Sequence, residues 1–172
     1  MLKVFRFLQG LSFGKLMCVY EESNTLNGAE RYPGQSCNIQ IREAELDFYQ
    51  YLSDVFFKQD CSFYCVWIED DVYVSALRIE PYLDGYLLCA LETAPHARHK
   101  GYASQLIAAV IQYLAEQGSG RLYSHVSKQN VASLKTHFQC GFQIRKDYAV
   151  YSDGSVHINS YTLLCEYKKS ET

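Results

Sequence analysis

One stretch of the chain, residues 86–120, constrains the fold more than any other. It begins with a nearly unbroken apolar run at residues 86–91, which is typical of a strand covered on both faces in the middle of a sheet. After a polar loop, apolar residues recur at the spacing of a helix with one face against a core. Gly118 and Gly120 predict the end of that helix, so the stretch predicts a strand, a loop and a helix in succession. The helical residues are Ala103, Leu106, Ile107, Val110, Ile111 and Leu114.

The loop before this helix carries Arg98, His99 and Lys100 directly before Gly101. The start of a helix leaves backbone N–H groups without partners and carries the positive end of the helix dipole. A glycine at such a place lets the backbone approach a phosphate closely. The pattern therefore predicts an anion-binding loop. Taken alone, it is more typical of a tight turn with a solvated cationic surface.

Length and composition indicate one packed domain, residues 1–172. The 172 residues are 48% hydrophobic and 15% aromatic, which favours a globule over a disordered chain. A net charge of −3 argues against a broadly basic nucleic-acid binder. No apolar run approaches the length of a membrane span, and residues 1–10 lack the pattern of a signal peptide. A soluble cytoplasmic protein with no nucleic-acid or membrane partner is expected.

The cysteines and histidines predict neither disulfides nor a metal site. The seven cysteines are an odd number and form no Cys-x-x-Cys pair. Most lie in apolar patterns, where free cysteine behaves as a small buried hydrophobe. His96 and His99 are close in sequence, but no adjacent carboxylate or thiol completes a ligand set. We expect them to be loop residues, and we expect no metal.

The N-terminal part of the chain predicts a strand and two helices. Residues 2–7 are expected to form the strand, and residues 13–24 a helix capped by Ser12. A Gly- and Pro-containing loop at residues 27–38 and a second helix at residues 43–57 follow. The residues at helical spacing are Leu16, Val19 and Tyr20 in the first helix, and Ala44, Phe48, Tyr51, Leu52 and Val55 in the second.

The remaining chain predicts mainly strands. Turns at residues 70–71 and 152–155 predict hairpins, and a short helix is expected from residues 127–130 to Gly141. The result is an α/β fold with a mixed, largely antiparallel central sheet flanked by helices. The expected strands, besides the first, are residues 63–69, 72–80, 86–91, 122–126, 147–151 and 156–167.

The short helix carries two side-chain faces. Its polar residues recur at i, i+3 and i+7, and an apolar stripe lies beside them. Two such faces are typical of a helix with one side in solvent and one on a core, although a polar face can also line a ligand. The polar residues are Asn130, Ser133 and His137, and the apolar residues are Val131, Leu134 and Phe138.

Two motifs in this order resemble those of a known family. Residues 98–103 match the (Arg/Gln)-x-x-Gly-x-(Gly/Ala) signature of the GNAT superfamily of N-acetyltransferases. Asn130-x-x-Ser133, followed by a Gly-Phe pair at residues 141–142, resembles the superfamily's second conserved block. The resemblance covers roughly residues 85–142. It implies a GNAT-like fold and N-acetyl transfer from acetyl-CoA.

The resemblance also implies how acetyl-CoA is bound. Main-chain groups of Leu91 and Thr93 would pair with the pantetheine arm, and an N–H near Thr93 would stabilise the oxyanion. Asn130 would contact the arm farther along, with Ser133 in the same block. Main-chain donors would hold the pyrophosphate at Arg98, His99, Lys100, Gly101, Tyr102 and Ala103.

Two side chains are candidate catalytic groups. Glu92 interrupts an apolar strand where the arm should meet the acceptor, so it is the candidate base. A carboxylate there could instead bind a cationic acceptor or pair with a neighbouring base. His137 stands where many superfamily members have a tyrosine, and it is the candidate acid for the departing thiolate. It could instead position the sulfur, or the transfer could need no dedicated acid.

Three functions are compatible with these residues. The first is transfer of an acetyl group to the primary amine of a small molecule, by direct attack on the thioester. The second is transfer to a protein or peptide amine, and the third is a non-catalytic acyl-CoA sensor. Tyr20 and Tyr32 are candidate walls of the acceptor site by resemblance, or ordinary packing residues. A homodimer is possible, and the acceptor is not identified by the sequence.

Overall fold

A computed structural model describes residues 3–5, 15–20, 48, 51–52, 63–69 and 72–169. The predictions for Ser12, Tyr32 and the loop at residues 27–38 lie outside these residues, as does the side chain of Tyr20. No helix within the described ranges has both the length and the apolar character that a membrane crossing requires.

The strands form a mixed, largely antiparallel sheet, as predicted. Their hydrogen-bonded order is β1-β2-β3-β4-β5-β6-β10-β7, and β8 pairs separately with β9. Strands β5 and β6 are parallel, whereas β1–β2, β2–β3, β6–β10 and β7–β10 are antiparallel. The strands are β1 (Lys3–Phe5), β2 (Lys15–Tyr20), β3 (Phe63–Glu69), β4 (Val72–Tyr82), β5 (Gly85–Thr93), β6 (Gly120–Ser127), β7 (Gln143–Lys146), β8 (Ala149–Val150), β9 (Val156–His157) and β10 (Ser160–Tyr167). The helices are α1 (Tyr102–Gln117) and α2 (Val131–Gln139).

The chain divides into two compact units. The first contains residues 1–78 and 90–102, and the second contains residues 79–89 and 103–172. The single domain expected from the chain length stays a prediction.

In the first unit, the core is built from strand residues and from a helical segment. Phe48 and Leu52 are buried one helical turn apart, and Tyr51 beside them is partly exposed. This agrees with the helix predicted at residues 43–57, of which only these positions are described. Tyr64 and Val66 of β3 are fully buried with Leu77 of β4. Removing these side chains from water is the main favourable term for this unit.

The helix predicted at residues 13–24 is wrong for β2. Lys15 lies opposite Ile68 of β3, and Tyr20 lies opposite Lys3 of β1, both in antiparallel register. Helical spacing of three apolar residues does not distinguish a helix from a strand in an apolar run this short. Pairing with a strand on each side satisfies the backbone N–H and C=O groups of β2 without a helix.

In the second unit, α1, β6 and β10 lie where the sequence predicts a helix and two strands. Helix α1 buries Leu106, Ile107, Val110 and Leu114, which are four of the six residues at the predicted spacing. Strands β6 and β10 pair over eight positions, from Gly120↔Tyr167 to Ser127↔Ser160.

Strand β5 begins at Gly85, which lies beside β6. A Cβ at this position would collide with the backbone carbonyl of Arg121. The position therefore accepts only glycine without a shift of one strand.

The C-terminal hairpin is confirmed in its turn and differs in its extent. Ala149 and Val150 pair with His157 and Val156, and Asp153 Oδ1 accepts a hydrogen bond from Ser155 N at 2.9 Å in the turn. The predicted strand at residues 156–167 is divided into β9 and β10. Strand β7 was not predicted, because all four of its residues are exposed and they carry no apolar alternation.

Candidate functional site

Strand β5 changes direction shortly before Glu92. Its parallel register with β6 runs from Tyr86↔Leu122 to Leu88↔Ser124. Ala90, two residues later, has a φ of +48°, which is uncommon for a residue that carries a Cβ. Leu91, Glu92 and Thr93 follow this bend.

Strand β4 fixes the backbone after the bend. Ser75 Oγ donates to the carbonyl oxygen of Glu92 at 2.7 Å and lies 3.0 Å from Thr93 Oγ1. Ala94 N donates to the carbonyl oxygen of Val74 at 2.9 Å. Ser75 is fully buried, and sequence reasoning missed its role. The available signal was a lone hydroxyl in an apolar strand, which must find a partner when it is buried.

Glu92 is partly buried, and its environment favours the protonated form. Burial raises the pKa of the Glu92 carboxyl, and the positive charge of Arg98 opposes this change. A carboxylate with a raised pKa is a stronger base than one in water. The structure therefore gives the predicted base a suitable electrostatic setting.

Tyr51 lies within the electrostatic reach of Glu92. Burial raises the pKa of the Tyr51 phenol most, the Glu92 charge raises it further, and the Arg78 charge lowers it. Its ring stacks with Phe48 at a centroid distance of 6.3 Å. Sequence reasoning placed Tyr51 only on a helix face, because its neighbours in space are distant in sequence.

The predicted phosphate loop is exposed along its length. Pro95–Ala97 forms one 3₁₀ turn with Ala97 buried beneath it, and the four residues from Arg98 to Gly101 are exposed. His99 and Gly101 have φ values of +64° and +83°. Helix α1 then begins with Tyr102 and Ala103, so the loop ends at a helix N-terminus as predicted.

Arg98 has a structural contact within this loop. Its Nε donates to the carbonyl oxygen of Thr93 at 3.2 Å. That carbonyl was predicted to be available to the pantetheine arm, and in this conformation Arg98 occupies it. The main-chain groups of Leu91 are not engaged by this contact.

Helix α2 is capped by the side chain of Asn130. Asn130 Oδ1 accepts a hydrogen bond from Ser133 N at 3.0 Å. This is the usual geometry of an asparagine N-cap, which satisfies a backbone donor at the helix start. Asn130 therefore has a local role in the helix, and its side-chain NH₂ group is still available to a ligand.

The side-chain faces of α2 differ from the expected surface and core. His137 is 1% exposed, whereas Val131 and Phe138 are 71% and 45% exposed. The His137 ring packs edge-on against Phe142 with centroids 5.1 Å apart. Burial of the imidazole is tolerated because the helix itself supplies a partner for one ring nitrogen. The expectation of a buried apolar stripe is thus wrong for this helix.

The described hydrogen bonds define the state of the His137 ring. Its Nδ1 lies 2.8 Å from the carbonyl oxygen of Ser133, so the neutral ring carries its proton on Nδ1 and donates to that oxygen. Nε2 is buried and has no hydrogen-bond partner among the described residues. Burial lowers the pKa of His137, while the bond to Ser133 opposes this. In this tautomer Nε2 carries no proton and can accept a hydrogen bond.

The described cysteines and histidines show no metal-binding geometry. Within residues that the structure describes, no three His, Cys, Asp or Glu side chains are grouped as ligands for an ion. Cys65, Cys89, Cys140 and Cys165 are free thiols.

The mixed sheet, the bend in β5 and the exposed loop at the start of α1 define an α/β fold with a candidate anion-binding site. The chain matches the model of the Acetyltransferase (GNAT) family over residues 29–142, which is more than half of its length. It therefore belongs to the GNAT family.

Relatives and solved structures agree with this assignment. A [ribosomal protein bS18]-alanine N-acetyltransferase of Haemophilus ducreyi is 30% identical over 92 residues, which is 52% of this chain and 63% of that protein. The ribosomal-protein-S18-alanine N-acetyltransferase structure from Escherichia coli matches at a TM-score of 0.53, with 16% identity over 69% of this chain and 79% of its own. A chimera of the Vibrio cholerae spermidine N-acetyltransferase matches at 0.52, with 16% identity over 69% and 76%. The structural matches show the shared fold.

Proposed function

We propose that this protein is an acetyl-CoA-dependent N-acetyltransferase that acts on the primary amine of a small molecule. The observation that carries the transfer chemistry is Glu92, a partly buried carboxylate with a raised pKa that follows the bend in β5. Family membership makes acetyl transfer the expected chemistry. Acetyl-CoA, when bound, supplies the thioester that the amine attacks.

The exposed loop is suited to hold the cofactor's pyrophosphate. Backbone N–H groups at a helix start favour an anion, and positive φ at His99 and Gly101 is typical of turns whose successive N–H groups bind one. The residues proposed to contact the pyrophosphate are Arg98, His99, Lys100, Gly101, Tyr102 and Ala103. Leu91 and the N–H of Thr93 are proposed to pair with the pantetheine arm, and Asn130 and Ser133 to contact it farther along.

Glu92 is proposed to accept the proton of the attacking amine, directly or through a water. An alkylamine with a pKa of about 10.4 is mostly protonated at neutral pH, so a base is needed before attack. The Ser75 hydrogen bond holds the Glu92 backbone in place, and partial burial makes the carboxylate more basic. The positive charge of Arg98 opposes the rise of this pKa and so favours the ionised carboxylate.

For His137, the described tautomer favours positioning over acid catalysis. Its one N–H already donates to Ser133, and burial disfavours the cation. The ring can act as an acid at Nε2 only after its proton moves from Nδ1. We therefore favour the alternative in which Nε2 accepts a hydrogen bond and the thiolate, with a pKa of roughly 8.5, leaves without a dedicated acid.

The two candidate functions differ in the class of amine that accepts the acetyl group. The spermidine N-acetyltransferase among the structural matches supports a small polyamine-like or amino-acid amine. The bS18-alanine N-acetyltransferase relative supports the amine of a protein N-terminal residue instead. Glu92 suits either one, because both amines are protonated before reaction.

Two measurements test the proposal. Thermal unfolding with and without acetyl-CoA examines the cofactor site, because a ligand that binds only the folded state raises the midpoint. Release of CoA thiol is then followed with a panel of small amines and with peptides that begin with alanine. Turnover of small amines supports the proposal, and turnover of the peptides alone would replace it by the protein-directed function. Acetyl-CoA binding without turnover of any amine would leave a sensor.

A further inference from the structure

A cavity of about 420 Å³ opens in the second unit over strands β6, β10 and β7. Its lining includes Arg121 from β6, Leu164 and Glu166 from β10, and Gln143 and Arg145 from β7. The volume falls in the range of about 300–1,000 Å³ that is usual for small-ligand sites. None of these residues belongs to the set proposed to bind acetyl-CoA or to assist the transfer.

A β-bulge places Arg145 at this cavity. Thr162 lies opposite Lys146 and the next residue of β10, Leu163, lies opposite Ile144, so Arg145 has no partner on β10. A bulge inserts one extra residue into a strand and redirects its side chain, and bulges are enriched beside binding sites. The cationic side chain thus reaches the cavity through a specific backbone feature.

The β7 wall of the cavity offers hydrogen-bond donors that the described residues do not use. Neither the Arg145 guanidinium nor the Gln143 amide has a side-chain hydrogen bond or ion pair within the part of the chain that the structure describes. A guanidinium and an amide together match the oxygens of a carboxylate. This wall therefore suits the anionic end of a ligand.

The opposite wall carries one carboxylate, Glu166, which is already ordered. Glu166 Oε1 accepts from Arg121 Nε at 3.0 Å, and Arg121 also pairs with Asp84. Asp84 accepts a further hydrogen bond from the Tyr123 hydroxyl at 2.8 Å. A carboxylate has about four lone-pair sites, so Glu166 can accept another donor. Glu166 therefore suits an ammonium group.

The strand register separates the two walls. Gln143 lies opposite Leu164, and Arg145 and Glu166 lie two residues away from this pair in opposite directions along the antiparallel strands. Their offset along the strands is about 13 Å at roughly 3.3 Å per residue, part of which the two long side chains span. Leu164 lies between them and offers an apolar surface. The ligand's two charges should therefore be joined by a short apolar chain.

We propose that this cavity binds a small amino-carboxylate whose ammonium and carboxylate groups are separated by a few methylenes. The carboxylate contacts Arg145 and Gln143, the ammonium group contacts Glu166, and the methylenes pack on Leu164. This site is separate from the proposed acetyl-transfer chemistry and does not depend on it.

Calorimetric titration without acetyl-CoA tests the site with three probes of equal length: 5-aminopentanoate, pentanoate and pentylamine. The first should bind tightest, because only it engages both walls. Arg145→Gln should raise its dissociation constant at least about tenfold, as expected when a charge-assisted hydrogen bond is lost. Gln143→Met should weaken binding by a smaller factor. Lys146→Gln is the matched control. It removes the same charge from the next residue, whose own side chain lies over the Tyr148 ring.

Four outcomes decide the matter. Binding of 5-aminopentanoate that is lost in Arg145→Gln and retained in Lys146→Gln supports the site. Retention of this binding in Glu92→Gln shows that it is separate from the acceptor position. No saturable binding of any probe to the folded protein overturns the proposal. Equal binding of inorganic sulfate, or equal losses in the Arg145 and Lys146 variants, also overturns it, because either one indicates a general attraction of anions.

Discussion

The end of strand β5 and helix α2 show opposite effects of burial on the basicity of a side chain. Partial burial raises the pKa of Glu92, whereas nearly complete burial lowers the pKa of His137. Desolvation penalises the charged form in each case, which is the protonated form for an imidazole and the ionised form for a carboxyl. A carboxylate becomes a stronger base, and an imidazole loses its acidic cation. The comparison teaches that a residue type does not determine an acid or base role without its environment.

The base role of Glu92 predicts the largest effect. Glu92→Gln should lower kcat/KM by about 10²–10⁴-fold near neutral pH, which is the range for loss of general base catalysis. In the wild type, the rate should fall as pH falls through the raised pKa of Glu92, because protonation removes the base. The variant should lack this limb and should recover at high pH as the amine deprotonates.

A matched control separates this role from a general loss of negative charge. Glu116→Gln removes an exposed carboxylate of α1 that contacts Gln112, and it should leave the pH–rate profile unchanged. If Glu92→Gln keeps the acidic limb of the wild type, Glu92 is not the base and the comparison with His137 fails.

Gly101→Val should weaken acetyl-CoA binding by at least about tenfold. A β-branched residue is disfavoured at the φ of +83° found there, and its side chain would meet the phosphate. Gly154→Val is the control, since Gly154 has a φ of +82° in the C-terminal hairpin and open space around its Cβ position. Calorimetry should show an affinity loss for Gly101→Val alone. Similar losses in both variants would mean that strain, and not the phosphate site, decides the effect.

Ser75→Ala should reduce kcat by a few-fold and stability by about 1 kcal/mol, the typical value of one hydrogen bond. Ser75 Oγ donates to the carbonyl oxygen of Glu92 at 2.7 Å, so its loss should loosen the base. Ser124→Ala removes a similar bond to the same strand, from Ser124 Oγ to the Leu88 carbonyl at 3.3 Å. Denaturant unfolding should show comparable costs, and steady-state kinetics should show a loss of kcat in Ser75→Ala only. A loss of kcat in both would assign the effect to stability.

His137→Gln should have the smallest kinetic effect, a change in kcat of less than about threefold, because the described ring has no proton to donate at Nε2. A fall of about 100-fold, with loss of the alkaline limb of the pH–rate profile, would restore the acid role.

The His137→Gln variant should also change how the free energy of unfolding depends on pH. The lowered pKa of His137 means that the unfolded chain binds a proton more readily, so wild-type stability should fall as pH drops from about 6.5 toward the lowered value. Urea unfolding should show this loss in the wild type and not in His137→Gln. The contribution of Glu92 to the pH dependence of stability has the opposite sign. Because its pKa is raised in the folded protein, its contribution to stability is lost as pH rises from about 4.5 through the raised value.

The sequence predicted the strand, loop and helix around Gly101 because each part has a strong local pattern. The long apolar run and the helical spacing of Leu106 and Val110 are decided by neighbours in the chain. The same reasoning was wrong for β2, where a short apolar run is compatible with either structure. It placed His137 in the correct helix and Glu92 at the end of an apolar strand, which in the structure continues to Thr93. The chemical roles of both residues stay predictions.

Features decided by contacts that the hydrophobic pattern does not indicate could not be predicted. The burial of His137 depends on the ring of Phe142 and on the Ser133 carbonyl oxygen, neither of which is indicated by the alternation of polar and apolar residues along α2. The role of Ser75 depends on the pairing of its strand with residues 17 and 18 positions later. The register that leaves Arg145 without a partner depends on β10, so no local pattern indicates it.

Gly85 has a consequence for mutational surveys of this protein. Its backbone lies so close to the Arg121 carbonyl that any added side chain meets backbone atoms. A complete substitution library should therefore score Gly85 as intolerant as Gly101, although Gly85 takes no part in the proposed chemistry. Only a comparison of protein abundance with activity would separate the two glycines: Gly85 variants should lose abundance, and Gly101 variants should remain abundant but inactive.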